Sequence, residues 1–126
     1  RIMQELYRVC APDARIAITV PHPRHDDFLS DPTHVRPITP QGLELFSRAK
    51  NREWAETGAA NTPLGLYLGV DFEIASVNMR PDEPWRGELQ AGRLSSQALA
   101  QAMRRYNNVI KEVEILLRAL KPGAAR

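Results

Sequence analysis

The segment from Pro21 to Thr39, PHPRHDDFLSDPTHVRPIT, gathers the side chains of this chain best suited to moving protons or ligating metals. All three histidines, His22, His25 and His34, lie in it, together with Asp26, Asp27 and Asp31. A neutral imidazole or a carboxylate in such a loop is a candidate general base. Three His and three Asp could also hold a zinc-like ion, although the H-x2-H-D-D spacing matches no standard site. A structural reading competes with both. In DPTH, Asp31 suits an Asx-type turn, with Thr33 and His34 tying the loop to its neighbours. Pro21, Pro23, Pro32, Pro37 and Pro40 stiffen the segment under any of these readings.

Such a loop needs elements to aim it. Directly before it, Arg15 to Val20 (RIAITV) alternates and is rich in β-branched residues, which predicts a strand. Side chains just past the C-terminal end of a strand are where open α/β sheets place their ligands. Upstream, Ile2, Met3, Leu6, Val9 and Cys10 share one helical face, and Ala11-Pro12-Asp13 ends that helix. Downstream, Thr39-Pro40 reads as a helix start whose helix carries Leu43 and Phe46 inward and frays over 51–57. Leu64 to Leu68 reads as a short strand. Val70 to Met79 is the second firm strand, with a register slip near Ala75-Ser76. From Ser96 to Leu120, apolar residues recur in three- and four-residue steps, which predicts one helix roughly 37 Å long. Asn107-Asn108 within it reads as a solvated face, with hydrogen bonding back to the loop as the alternative. Trp54 and Trp85 read as packing residues.

Composition narrows the class. A chain of 126 residues supports a single domain with its own core. Apolar residues at 43% and charged residues at 25% describe an ordinary globular protein, with no run long enough for a membrane span. The formal charge is only +2 and the basic residues are scattered, so nothing points to nucleic acid. One cysteine, Cys10, excludes an internal disulfide and reads as a small core residue. No signal-peptide pattern is present, which makes a cytoplasmic location the expectation. The chain opens at Arg1 inside a helical pattern, which suggests that the protein continues upstream.

The residues ELYRVCAPDARIAITVP, from Glu5 to Pro21, resemble the ELxRVLKPGGxLxIxVP segment of class I S-adenosylmethionine-dependent methyltransferases. DPTHVRPIT (31–39), LGVDFEIASV (68–77) and RRYNNVIKEVEILLRALKP (104–122) resemble the C-terminal part of an uncharacterised bacterial subgroup of that family. The usual Pro-Gly turn departs here to Ala11-Pro12-Asp13-Ala14, which Asp can accommodate in the left-handed region. The resemblance implies a partial Rossmann-like α/β fold with a small sheet of two or three strands flanked by helices, ending in the long C-terminal helix. It implies residues 1–126 as one domain, the C-terminal half of a methyltransferase, with the cofactor-binding N-terminal half absent. In this family the cofactor lies on a Gly-rich loop after the first strand, and no GxGxG-like run occurs here. S-adenosylmethionine is therefore expected on the full-length protein and not on this chain.

Under that resemblance the loop is one wall of a substrate site. His22, His25 and His34 are the catalytic candidates, Asp31 and Arg36 would contact the unknown methyl acceptor, and Tyr67 would shape the pocket. The strands at 15–20 and 70–79 are expected to pair, antiparallel if the second takes the family's reversed last-strand position. The unshielded sheet edge and the apolar face of the 96–120 helix point to a homo-oligomer formed through that helix. The competing function is a non-catalytic binding or dimerisation module whose working surface is the 96–120 helix.

Overall fold

The computed structural model describes residues 1–122. The elements run α1 (Ile2–Val9), β1 (Arg15–Pro21), α2 (Asp26–Leu29), α3 (Pro40–Glu44), α4 (Arg48–Thr57), α5 (Leu64–Leu68), β2 (Phe72–Pro81), α6 (Trp85–Gln90), α7 (Ser96–Arg105) and β3 (Ile110–Ala119). The three strands form one sheet in the order β1-β3-β2. Asp13 N–H donates to the Ala119 carbonyl and His22 N–H to the Lys111 carbonyl, so β3 runs antiparallel to β1. Leu120 N–H donates to the Asp71 carbonyl and Asp82 N–H to the Val109 carbonyl, so β3 is antiparallel to β2 as well.

This corrects two expectations. The strands at 15–20 and 70–79 do not pair with each other, because the last strand lies between them. The long helix over 96–120 does not form either: α7 stops at Arg105, and Ile110–Ala119 is a strand. Val113, Ile115, Leu117 and Ala119 alternate with half-buried Glu112, Glu114, Leu116 and Arg118, which is period-two burial. The break falls at Asn107-Asn108, where Asn108 adopts a φ of 62°, a left-handed conformation that Asn tolerates and a helix does not. A dimer through a 96–120 helix therefore has no such helix to use.

Two compact units make up the described chain. The first comprises 1–18, 40–77 and the described part of 115–126. Its core holds Leu43, Val70, Phe72, Ile115, Leu117 and Ala119. Tyr7 of α1 meets Phe72 edge-on at 5.4 Å, and its hydroxyl donates to the Leu120 carbonyl. The helix expected to fray over 51–57 instead breaks earlier and restarts. Ser47 caps α4 by accepting from Lys50 N–H at 3.3 Å, and Gly58 closes it in the left-handed region. Asn51 is buried on α4, yet its amide donates to the Leu45 carbonyl at 3.0 Å and accepts from Leu66 N–H at 3.1 Å. Leu64–Leu68, read as a short strand, is the helix α5. Arg118 on β3 reaches Asp13 at 3.2 Å and Glu73 at 3.1 Å.

The second unit comprises 19–39 and 78–114. Val109, Ile110, Val113 and Ala102 supply its buried apolar residues. Ser95 caps α7 through Ala98 N–H, and Arg104 and Arg105 complement the negative end of its dipole. Trp85 stacks on Tyr106 at 6.0 Å. Arg80 on β2 grips Glu112 at 2.6 Å and Glu114 at 2.8 Å on β3.

Candidate functional site

The histidine loop belongs wholly to the second unit, and it is folded from its own side chains outward. Past Pro21 the strand pairing extends one residue, through His22 N–H to Lys111. His22 then turns the chain: its Nδ1 accepts the Arg24 N–H at 3.1 Å, and its carbonyl accepts the His25 N–H at 3.0 Å. Burial holds the His22 imidazole below the usual histidine range, assisted by the neighbouring positive charge of Arg24.

His25 is the buried centre of the loop, 5% exposed. It is the N-cap of the short helix α2, with Nδ1 accepting the Asp27 N–H at 3.0 Å. Asp26 and Asp27 in that first turn suit the positive end of a helix. The other nitrogen, Nε2, lies 2.7 Å from Asp82 Oδ2 at the exit of β2. A backbone N–H can only donate and a carboxylate can only accept, so both His25 nitrogens are committed. Asp82 is fixed in turn by Glu83 N–H on Oδ1 at 2.8 Å. The His25 bond, then the Glu83 N–H, hold the Asp82 carboxyl below the usual carboxylate range.

Two further side chains pin the same stretch. Arg24 Nη1 donates to the Met103 and Arg104 carbonyls at 3.2 and 3.3 Å, satisfying the end of α7. Asn108 Oδ1 accepts Asp26 N–H at 2.8 Å, and Asn108 N–H donates to the Arg24 carbonyl at 3.0 Å. Asn108 is thus bonded back to the loop, the alternative to the solvated face that its place in a predicted helix favoured.

Further along, Asp31 forms the Asx turn expected of DPTH. Its Oδ1 accepts Thr33 N–H at 2.9 Å and Thr33 Oγ1–H at 2.7 Å. The Thr33 hydroxyl first, then its N–H, hold the Asp31 carboxyl below the ordinary range. His34 stacks on Phe28 with ring centroids 5.5 Å apart and 8° between planes. Its Nδ1 lies 3.2 Å from the Phe28 carbonyl, and its Nε2 lies 3.7 Å from Asp31 Oδ2.

The candidates therefore divide. His25 is bonded to Asp82 and, through its N–H, to the His22 carbonyl, and His34 is paired with Asp31. Arg36 is exposed and has no ion-pair partner among the described residues. Tyr67 stands on α5 in the first unit, 73% exposed. Among the described residues no group of three or more His, Cys, Asp or Glu is arranged to hold a metal ion. Two organising residues, Asp82 and Arg24, escaped the sequence reading, whereas the third, Asn108, was named in it with bonding back to the loop as its alternative. Asp82 sits in a turn-rich exit that carries no signature, and Arg24 looked like one scattered cation among others. Asn108 alone left a trace, as an Asn pair inside an otherwise good helix former.

Two cavities lie in the first unit. One of about 340 Å³ is lined by Arg1, Ile2, Glu5, Leu6 and Val9, and one of about 330 Å³ by residues that include Glu44, Lys50 and Glu73. Among the described residues no helix is long and apolar enough to cross a membrane. No protein-family model, curated protein or solved structure matches this chain.

Proposed function

We propose that this chain is the substrate-side, C-terminal half of a class I S-adenosylmethionine-dependent methyltransferase that transfers a methyl group to an acceptor held against this loop. The observation that carries this reading is the last strand. The resemblance implies a reversed last strand, a position expected of 70–79; β3, the last strand among the described residues, is instead the one that runs antiparallel to both its neighbours. A second feature supports it. Among the described residues β1 has a strand neighbour on one side only, and the resemblance has further strands on the other. The histidine loop leaves the C-terminal end of β1, where open α/β sheets put their ligands.

The reading assigns the cofactor to the preceding half. The glycines with positive φ, Gly58, Gly69 and Gly92, are isolated, and Gly58 and Gly69 cap the ends of α4 and α5. Neither described cavity combines a glycine turn with a strand end. The reading expects S-adenosylmethionine on that half and not on these residues. What this chain contributes is a rigid loop: a buried His25 clasp, a half-buried His22 and a carboxylate–imidazole pair at Asp31 and His34.

The test is calorimetric titration of the full-length gene product with S-adenosylhomocysteine. Saturable binding is expected, and its absence refutes the reading. The module reading, in which 96–120 forms a docking helix, lacks its carrying element, because α7 ends at Arg105.

A further inference from the structure

The three histidines are chemically different, and their hydrogen bonds say how. A neutral imidazole has one N–H and one bare nitrogen. At His22 the bare nitrogen is Nδ1, because it accepts the Arg24 N–H at 3.1 Å; Nε2 then carries the proton. At His25 the bare nitrogen is again Nδ1, taken up by the Asp27 N–H at 3.0 Å, while Nε2–H donates to Asp82. His34 is the reverse. A carbonyl can only accept, so the contact at 3.2 Å to the Phe28 oxygen puts the proton on Nδ1 and leaves Nε2 bare.

We infer that His34 is the proton-accepting histidine of the loop, with Nε2 as the accepting atom and Asp31 as the group that offsets the charge. The inference rests on the methyl-transfer reading for its substrate, an acceptor bearing an O–H or N–H. In the step, the X–H bond of the acceptor breaks and its electron pair stays on X. The proton goes to the Nε2 lone pair of His34, and an imidazolium results. Asp31 Oδ2, 3.7 Å from Nε2, faces that new positive charge. The ring cannot swing away cheaply, because Phe28 holds it twice, by the carbonyl bond and by a stack inclined only 8°. Asp31 is equally fixed, with Oδ1 engaged by Thr33 and Oδ2 left for the imidazole. His22 takes the complementary role of a donor through Nε2–H. His25, with both nitrogens engaged, is a positioning residue.

Two measurements on the histidines test this apart from any activity. Long-range proton–nitrogen NMR on the full-length, nitrogen-15-labelled protein is recorded at about pH 8, above the ordinary histidine range. The expected pattern is Nδ1–H for His34 and Nε2–H for His22 and His25; an Nε2–H at His34 overturns the assignment. Diethyl pyrocarbonate, which acylates bare imidazole nitrogens, is then followed site by site by mass spectrometry. His34 should react about tenfold faster than His22, a ratio equivalent to one hydrogen bond of about 1.4 kcal/mol that His22 must first release. Equal or faster reaction at His22 overturns the proposal. Titration with S-adenosylhomocysteine separates the two levels. The expected histidine pattern without ligand binding defeats the methyl-transfer reading and keeps the assignment. Ligand binding with a reversed pattern defeats the assignment alone.

Discussion

Asp82→Ala leaves the Nε2–H of His25 without its acceptor in a place where the residue is 5% exposed. A buried donor stripped of its partner costs about 1–3 kcal/mol, and a hydrogen bond to a charged group contributes about 1.5–3 kcal/mol. These describe one loss from two sides, so the expected destabilisation is about 2–3 kcal/mol rather than their sum. Asp82→Asn keeps one acceptor oxygen for Nε2 but turns its NH2 toward the Glu83 N–H, so it forfeits the charge assistance and that second bond, about 1–2 kcal/mol. The order of stability is therefore wild type, then Asn, then Ala. A dependence on pH follows from the lowered Asp82 pKa. Because the folded value lies below the unfolded one, the carboxylate stabilises the fold above the unfolded value of about 4. That stabilisation disappears as pH falls through the folded value, so the gap between wild type and Asp82→Asn narrows below about pH 4. Urea unfolding followed by the fluorescence of Trp54 and Trp85 measures all three proteins, and adding His25→Ala to Asp82→Ala closes a double-mutant cycle. A coupling of about 1 kcal/mol or more is expected. Asp82→Ala within about 0.5 kcal/mol of wild type, or a gap that widens in acid, would refute the buried clasp.

Asn108→Ala and Asn108→Gly both remove the acceptor for Asp26 N–H, but only glycine tolerates the φ of 62° without strain. Alanine should therefore melt earlier, by an amount equivalent to about 1 kcal/mol. Gly65→Ala places a Cβ 3.0 Å from both Asn51 Oδ1 and the Phe46 carbonyl, so a loss of about 1–3 kcal/mol in urea unfolding is expected. Thr33→Val removes the hydroxyl that most depresses the Asp31 carboxyl, and a carbon-detected NMR titration should show Asp31 ionising closer to the ordinary aspartate value.

Much of the positioning machinery was legible in the sequence. RIAITV forms β1, VDFEIASVNM contains most of β2, and Pro40 opens a helix, because local propensity favours each; β1 also alternates in burial, while β2 is exposed throughout 75–78. The Asx turn at Asp31 was legible too, being a contact between near neighbours. β3 was not. Residues 110–120 are rich in Glu, Leu, Lys and Arg, good helix formers, and Ile110, Val113, Leu117 and Leu120 satisfy a helical step. The same stretch holds Val113, Ile115, Leu117 and Ala119 at period two, and only pairing with β1 and β2 decides between the patterns. The clasp was hidden for a related reason. His25 and Asp82 stand 57 positions apart, and no local spacing reports a contact of that range.

The central place of β3 also dictates an order of events during synthesis. β1 and β2 share no hydrogen-bonded edge, so the sheet does not exist until residues 110–119 have left the ribosome. At about 5–20 residues per second, the interval between finishing β2 and finishing β3 lasts seconds. Throughout that interval two strands with open edges must stay apart from those on neighbouring nascent chains. The charges that pair across the finished sheet, Arg80 with Glu112 and Glu114 and Glu73 with Arg118, are then unpaired and hydrated. On β2 they serve as gatekeepers before they serve as bonds.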